Sequence, residues 1–184
     1  MSKNSATRLS SFDLLQDYEQ RSLVHAPGRP EMIEAAGHWR GVGYRLGKRR
    51  FVSSFDEIVE IITLPGVTPV PGANSWMLGV ANVRGNLIPV VDLKQFLEGD
   101  RTVVHDGQRV LVIRQSGGNV AVLIDELYGQ RNFTDANRTE LAGIDEGRYG
   151  TFVKQAYMLN ETVWGVFSMA LLTRTPEFRQ AAAA

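Results

Sequence analysis

The chain of 184 residues contains no cysteine. That absence removes disulfide frameworks, thiolate zinc sites, thiol redox chemistry and cysteine nucleophiles together. Long apolar runs are missing too. Stretches such as Val120-Ala121-Val122-Leu123-Ile124 reach about a quarter of the ~20 residues a membrane-spanning helix needs, so no direct membrane insertion is expected. The opening residues, Met1-Ser2-Lys3-Asn4-Ser5, lead into polar sequence rather than an apolar signal core, and a cytoplasmic location is expected. Neither sign of charge is in excess: 20 Lys+Arg balance 20 Asp+Glu, and a formal net charge of +0 gives no bulk attraction to nucleic acid or anionic lipid.

Catalytic patterns are equally scarce. His25, His38 and His105 lie far apart without the spacing of a metal site. No Gly-x-Ser-x-Gly elbow is present. Asp125-Glu126 and Asp145-Glu146 are adjacent pairs, which on a strand point to opposite faces and read as solvated turns. Gly41-x-Gly43-x-x-x-Gly47 imitates a dinucleotide loop, but Leu46 stands where its third glycine belongs and a strand follows where a helix should. No catalytic residue, metal or cofactor is assigned, and an enzyme is not expected.

What the sequence has in quantity is hairpin signal. Ahead of it, Phe12 to Arg21 reads as a short amphipathic helix with Leu14, Leu15 and Tyr18 on one face and a capping box from Ser10 to Asp13. A helix so short is marginal alone in water and must dock on the rest of the chain or on a partner. Ala26-Pro27-Gly28-Arg29-Pro30 ends it, so residues 1–37 read as an extension. From Trp39 onward, β-branched and aromatic runs alternate with turns at Gly47-Lys48-Arg49, Gly85-Asn86, Ser116-Gly117-Gly118-Asn119 and Asn160-Glu161. Four hairpins argue for an all-β domain. Shifting the chain by 69 positions lays Phe51–Ile58 on Val120–Leu127 with the turns in step, which suggests two short barrels built to one plan. Their junction is expected at Phe96–Arg101, giving barrel one at 38–98, barrel two at 99–172 and a tail at 173–184, with an end strand free to exchange between barrels.

One hairpin carries a candidate docking site. In Leu78–Leu93, Gly85 is expected at the first central position of a type II′ turn, which sets Val83 opposite Ile88 and Ala81 opposite Val90. Pro89 cannot donate to a ladder, so its strand is expected at an edge or with an unpaired side. An accessible edge beside an apolar face and Arg84 suits a protein partner. A competing reading takes Lys48, Arg49 and Arg50, near Tyr44, Phe51 and Trp39, as a basic aromatic hairpin for single-stranded nucleic acid; a charged hairpin tip accounts for the same residues.

The same stretch resembles the CheW-type adaptor domain of bacterial chemosensory systems, whose signature runs Gly-x-x-Asn-Leu-Arg-Gly-x-x-x-Pro-x-x-Asp-Leu. Gly79, Asn82, Arg84, Gly85, Pro89, Asp92 and Leu93 fit, with Val83 in the leucine's place. The resemblance spans roughly residues 38 to 172 and takes in Phe55–Ile62, Pro69-Val70-Pro71 and Val122–Asp125. It implies two small SH3-like five-stranded barrels packed together, and a non-catalytic coupler joining the cytoplasmic tip of a methyl-accepting receptor to the regulatory domain of a CheA-type histidine kinase in a membrane-associated array. Carried over by position, Ile58, Glu60, Gly79 and Arg84 fall on the kinase side and Leu127 on the receptor side. Ala121 and Glu126 depart from positions often held by glycine. Phe12-Asp13-Leu14-Leu15 and Trp39–Gly47 resemble the PilI branch, associated with type IV pilus twitching motility. Three expectations follow for the kinase side: Ile58 and Gly79 form a shallow pocket, Gly79→Arg abolishes kinase binding without altering stability, and Glu60 pairs with Arg84.

Overall fold

A computed structural model describes residues 38–182 together with Phe12, Leu15, Gln16, Tyr18, Glu19 and Gln20. The chain separates into two compact units, 1–35 and 36–184. In the first, the described residues are helical and exposed. The expected cap at Ser10–Asp13 and the Pro27–Pro30 break lie outside the described residues.

Among its described residues the second unit holds eleven strands: β1 (His38–Leu46), β2 (Arg49–Ser54), β3 (Ile58–Thr63), β4 (Met77–Val83), β5 (Asn86–Asp92), β6 (Arg109–Gln115), β7 (Gly118–Leu123), β8 (Glu126–Thr134), β9 (Arg138–Thr139), β10 (Val153–Leu159) and β11 (Thr162–Phe167). Among the described residues three short α-helices accompany them: α1 (Leu93–Glu98), α2 (Met169–Arg174) and α3 (Pro176–Ala182). One sheet runs β8-β1-β2-β11-β10-β9, the other β3-β6-β7-β5-β4. The two follow one plan. In each, a hairpin (β1–β2 or β6–β7) lays its second strand parallel to the second strand of another hairpin (β10–β11 or β4–β5). In each, the hairpin's first strand is flanked by a strand arriving from the other sheet, β8 or β3.

That exchange corrects the expected division at residue 98. Leaving β2, the chain crosses into the second sheet as β3, and leaving β7 it crosses back as β8, so each barrel takes strands from both halves of the sequence. The 69-residue repeat registers these two equivalent crossings. Phe96–Arg101 is no junction: α1 occupies it and stops at Gly99, whose φ of 82° is the left-handed cap that favours glycine. Within the expected tail, Phe178 on α3 is fully buried and packs its ring 5.7 Å from Trp76 and 5.4 Å from Phe96.

Burial explains the apolar runs. Leu111, Ile113, Val120 and Val122 face a core shared with Val42, Tyr44, Leu46 and Phe51 of the other sheet. Their neighbours Val110, Val112, Ala121 and Leu123 face a second cluster with Ala81, Ile88 and Val90. Strands buried on both faces lose alternation and read as continuous hydrophobic stretches. A third cluster of Val52, Phe133, Tyr157 and Trp164 fills the far side of the first sheet. Tyr44, Ser53 and Asp92 are buried and hydrogen-bonded. The Tyr44 hydroxyl lies 2.9 Å from Ser53 Oγ, which donates to the Phe167 carbonyl at 2.7 Å, and burial pushes the Tyr44 phenol well above its ordinary value. Asp92, fully buried, accepts from the Gln95 amide as the α1 cap and from the Thr102 amide and hydroxyl.

Candidate protein-docking site

The β4–β5 hairpin turns on Arg84-Gly85, with Val83 opposite Asn86, Ala81 opposite Ile88 and Val80 opposite Pro89. Both turn residues have positive φ, 52° and 85°, the signature of a type I′ turn rather than the expected type II′ turn on Gly85-Asn86. Asn82 completes the turn by accepting the Gly85 amide on its side-chain oxygen at 2.8 Å. Pro89 behaves as its chemistry demands. Val80 spends both its backbone groups on Thr68, so the Val80–Pro89 pair lies at a non-hydrogen-bonded position, and pairing of β5 with β7 begins at Val90. Thr68 thereby covers the edge of β4.

Glu60 on β3 and Arg84 at the hairpin tip meet as an ion pair of 2.8 Å. The guanidinium-bearing side chain is 79% exposed and the carboxylate-bearing one 22%. The structure therefore brings these two residues together. Ile58 is half-buried against the shared core, and Gly79 is buried. At φ 144°, a Cβ on Gly79 would fall on the Thr68 carbonyl oxygen. Gly79 is a backbone requirement, and Gly79→Arg cannot leave stability unchanged. Leu87, 70% exposed beside this turn, was not singled out from the sequence; its signal is an apolar residue immediately after Asn86, on a strand whose later residues Ile88, Val90 and Val91 are buried.

Leu127, the residue carried over for the second partner, sits opposite Tyr44 at a bulge in β8 and is half-buried. It lines a groove of 510 Å³ with Arg45, His105, Gln108, Arg109 and Glu126 among its walls. Of the adjacent acids beside it, Asp125 lies half-buried in the bend before β8 and Glu126 opens β8 exposed to solvent, and both are paired. Asp125 accepts the Gly47 amide at 2.5 Å, and Arg45 reaches Asp125 at 3.6 Å and Glu126 at 3.1 Å. The hydrogen bond from Arg45 holds the Glu126 carboxyl below its ordinary pKa.

The basic hairpin offers no continuous aromatic platform. Arg49 and Arg50 point to opposite faces: Arg49 pairs with Glu98 at 3.0 Å over the Tyr149 ring, whereas Arg50 lies over Tyr128 and Trp164. Tyr44 and Phe51, needed for base stacking, are fully buried. Among the described residues no cluster of His, Asp or Glu could hold a metal ion, and no helix is long and apolar enough to cross a membrane.

A family model described as the CheW-like domain matches residues 40–177. The chain belongs to the CheW-like family. Protein PilI of Pseudomonas aeruginosa is 34% identical over 167 residues, covering 91% of this chain and 93% of that protein. Chemotaxis protein CheW of Thermotoga maritima is 25% identical over 118 residues, covering 62% and 75%, and Protein FrzA of Myxococcus xanthus 28% over 113 residues, covering 61% and 70%. Among solved structures, the scaffolding protein TtCheW of Thermoanaerobacter tengcongensis superposes with a TM-score of 0.63 at 15% identity, over 75% of this chain and 94% of that one. The two exchanged sheets are thus the two small SH3-like barrels of the CheW-like fold, and a chemosensory adaptor or scaffold role goes with the family.

Proposed function

We propose that the protein is a non-catalytic adaptor that couples the cytoplasmic tip of a methyl-accepting receptor to the regulatory domain of a CheA-type kinase, in the pathway that drives type IV pilus twitching. The observation that carries this reading is the likeness to PilI along nearly the whole of both chains, which includes the hairpin of Asn82, Arg84 and Gly85. That hairpin supports a docking role because its exposed Arg84 is poised by Glu60 on a covered sheet edge. Ile58, Glu60, Gly79 and Arg84 make up the kinase side, with Gly79 shaping backbone rather than touching the partner; Leu127 and its groove make up the receptor side. The experiment is a three-component pull-down with a purified receptor-tip fragment and the kinase regulatory domain. The chain is expected to bind each alone and to bridge the two. Binding to only one of them, or to neither, would overturn the coupling role, and normal twitching in cells lacking the chain would overturn the pathway assignment.

A further inference from the structure

We propose that the first sheet carries a site for the carboxylate of a small organic anion, held by Arg50 and Arg131 beside the rings of Tyr128 and Trp164. The site is independent of the coupling role, and none of these four residues lines the groove of Leu127.

Comparison of the two sheets locates it. By register, Glu60 faces Val112 as Gly129 faces Gly43, and Ile62 faces Val110 as Arg131 faces Gly41. These equivalent positions carry different chemistry. Ile62 packs on the aliphatic cluster of its sheet, whereas Arg131 brings its guanidinium to 5.3 Å from the Trp164 ring and 5.8 Å from the Tyr128 ring. Gly43 makes the room: a Cβ there would stand 2.8 Å from Arg131 Cγ and 2.9 Å from Trp164 Cζ3. Arg50 reaches the same two rings, at 5.3 Å from Tyr128 and 5.8 Å from Trp164. In the second sheet a carboxylate at this place is built in, as Glu60 paired with Arg84. In the first, Gly129 brings none, and nothing lies within 4 Å of where its Cβ would stand.

The local charges leave a cation over. Arg49 and Arg148 also lie over rings, but each is paired with a glutamate; among the described residues Arg50 and Arg131 have no such pair. Arg50 donates to Thr162 Oγ1 at 3.1 Å and Arg131 to the Gln130 carbonyl at 2.9 Å, which leaves each guanidinium further N–H donors. Glu126 lies close enough to feel Arg50, yet it already accepts from Arg45 at 3.1 Å and from the Tyr128 hydroxyl at 3.2 Å. With Asp125, which Arg45 also reaches, the cluster sets Arg45, Arg50 and Arg131 against Asp125 and Glu126. Trp164 adds a second observation. It is 4% exposed, and its indole Nε1 is buried with no acceptor. A buried donor without a partner is costly, and a planar carboxylate supplies acceptors both to it and to a guanidinium fork.

The test follows the indole N–H signal of Trp164 by nuclear magnetic resonance, assigned with Trp164→Phe, while acetate or benzoate is added to the full chain at constant ionic strength. Both probes are expected to shift the signal saturably and to raise the melting temperature. Arg131→Gln is expected to weaken binding at least about tenfold. Arg50→Gln, which leaves Arg131 on Trp164, carries the same expectation should Arg131→Gln melt early. Shifts that do not saturate, that chloride reproduces, or that persist undiminished in both variants would overturn the site. A response to inorganic phosphate with none to acetate or benzoate would overturn its assignment to a carboxylate.

Discussion

Arg84 occupies backbone space that suits asparagine or glycine better, with φ at 52°. Holding a long side chain there costs about 1 kcal/mol, and the Glu60 pair offsets part of it. With Arg84 mostly exposed, that pair contributes no more than about 1 kcal/mol. A double-mutant cycle of Glu60→Ala and Arg84→Ala is therefore expected to show coupling below about 1 kcal/mol in urea unfolding. Coupling of about 3 kcal/mol or more would mean the pair is buried in solution. Gly79 behaves oppositely. Gly79→Ala forces a Cβ onto the Thr68 carbonyl at a φ that L-residues avoid, and is expected to cost at least about 2 kcal/mol. An unchanged urea midpoint would show that Thr68 and β4 separate freely. Both residues were legible as a motif, and Glu60 was expected as the partner of Arg84, but the strain at Arg84 and the Thr68 backbone beside Gly79 were not, because a sequence shows neither φ nor what backbone lies beside a glycine.

At the scale of elements, the hairpins were readable and their exact pairing was not. The type II′ reading slid β5 by two residues against β4, and a slide of two keeps every side chain on its face. Val83, Ala81, Ile88 and Val90 share a face in either register, so hydrophobic pattern could not choose between them. The turn decides, through the bond from Gly85 to Asn82. The short helices were missed for a related reason. Each of α1 and α2 begins at an acceptor that caps it, Asp92 or Ser168, but six residues are too few to show a helical period. The second has an additional, non-local cap in Glu57, 111 residues before Ser168. Glu57→Gln should keep the shape, remove the charge that two α2 amides and a hydroxyl address, and cost about 1 to 2 kcal/mol. An unchanged denaturation midpoint would mean water replaces the carboxylate without loss, and that α2 stands independently of the β2–β3 turn.

Across the whole molecule, the two crossings make each barrel depend on the other half of the chain. Residues 38–98 contain β1 to β5, yet β3 pairs only with β6 and β5 loses β7, so that half keeps two separate hairpins and an orphan strand. Residues 99–184 contain β6 to β11, yet β8 pairs only with β1 and β11 loses β2. Two-stranded hairpins are marginal in water, and the largest core takes residues from both halves, Val42 and Phe51 from one, Leu111 and Phe167 from the other. The repeat in the sequence announced two similar units but not their interleaving, since β2–β3 and β7–β8 look alike whether each pair stays in one sheet or crosses. Interleaving predicts one cooperative transition for the second unit, with coincident melting by far-UV circular dichroism and by tryptophan fluorescence. It further predicts that 38–98 and 99–184, expressed separately, each lack a cooperative transition, and that mixing them restores one, because every lost strand pairing is intermolecularly recoverable. A half that melts cooperatively alone, or a mixture that stays unfolded while both halves remain soluble, would mean that each barrel closes within its own stretch of sequence.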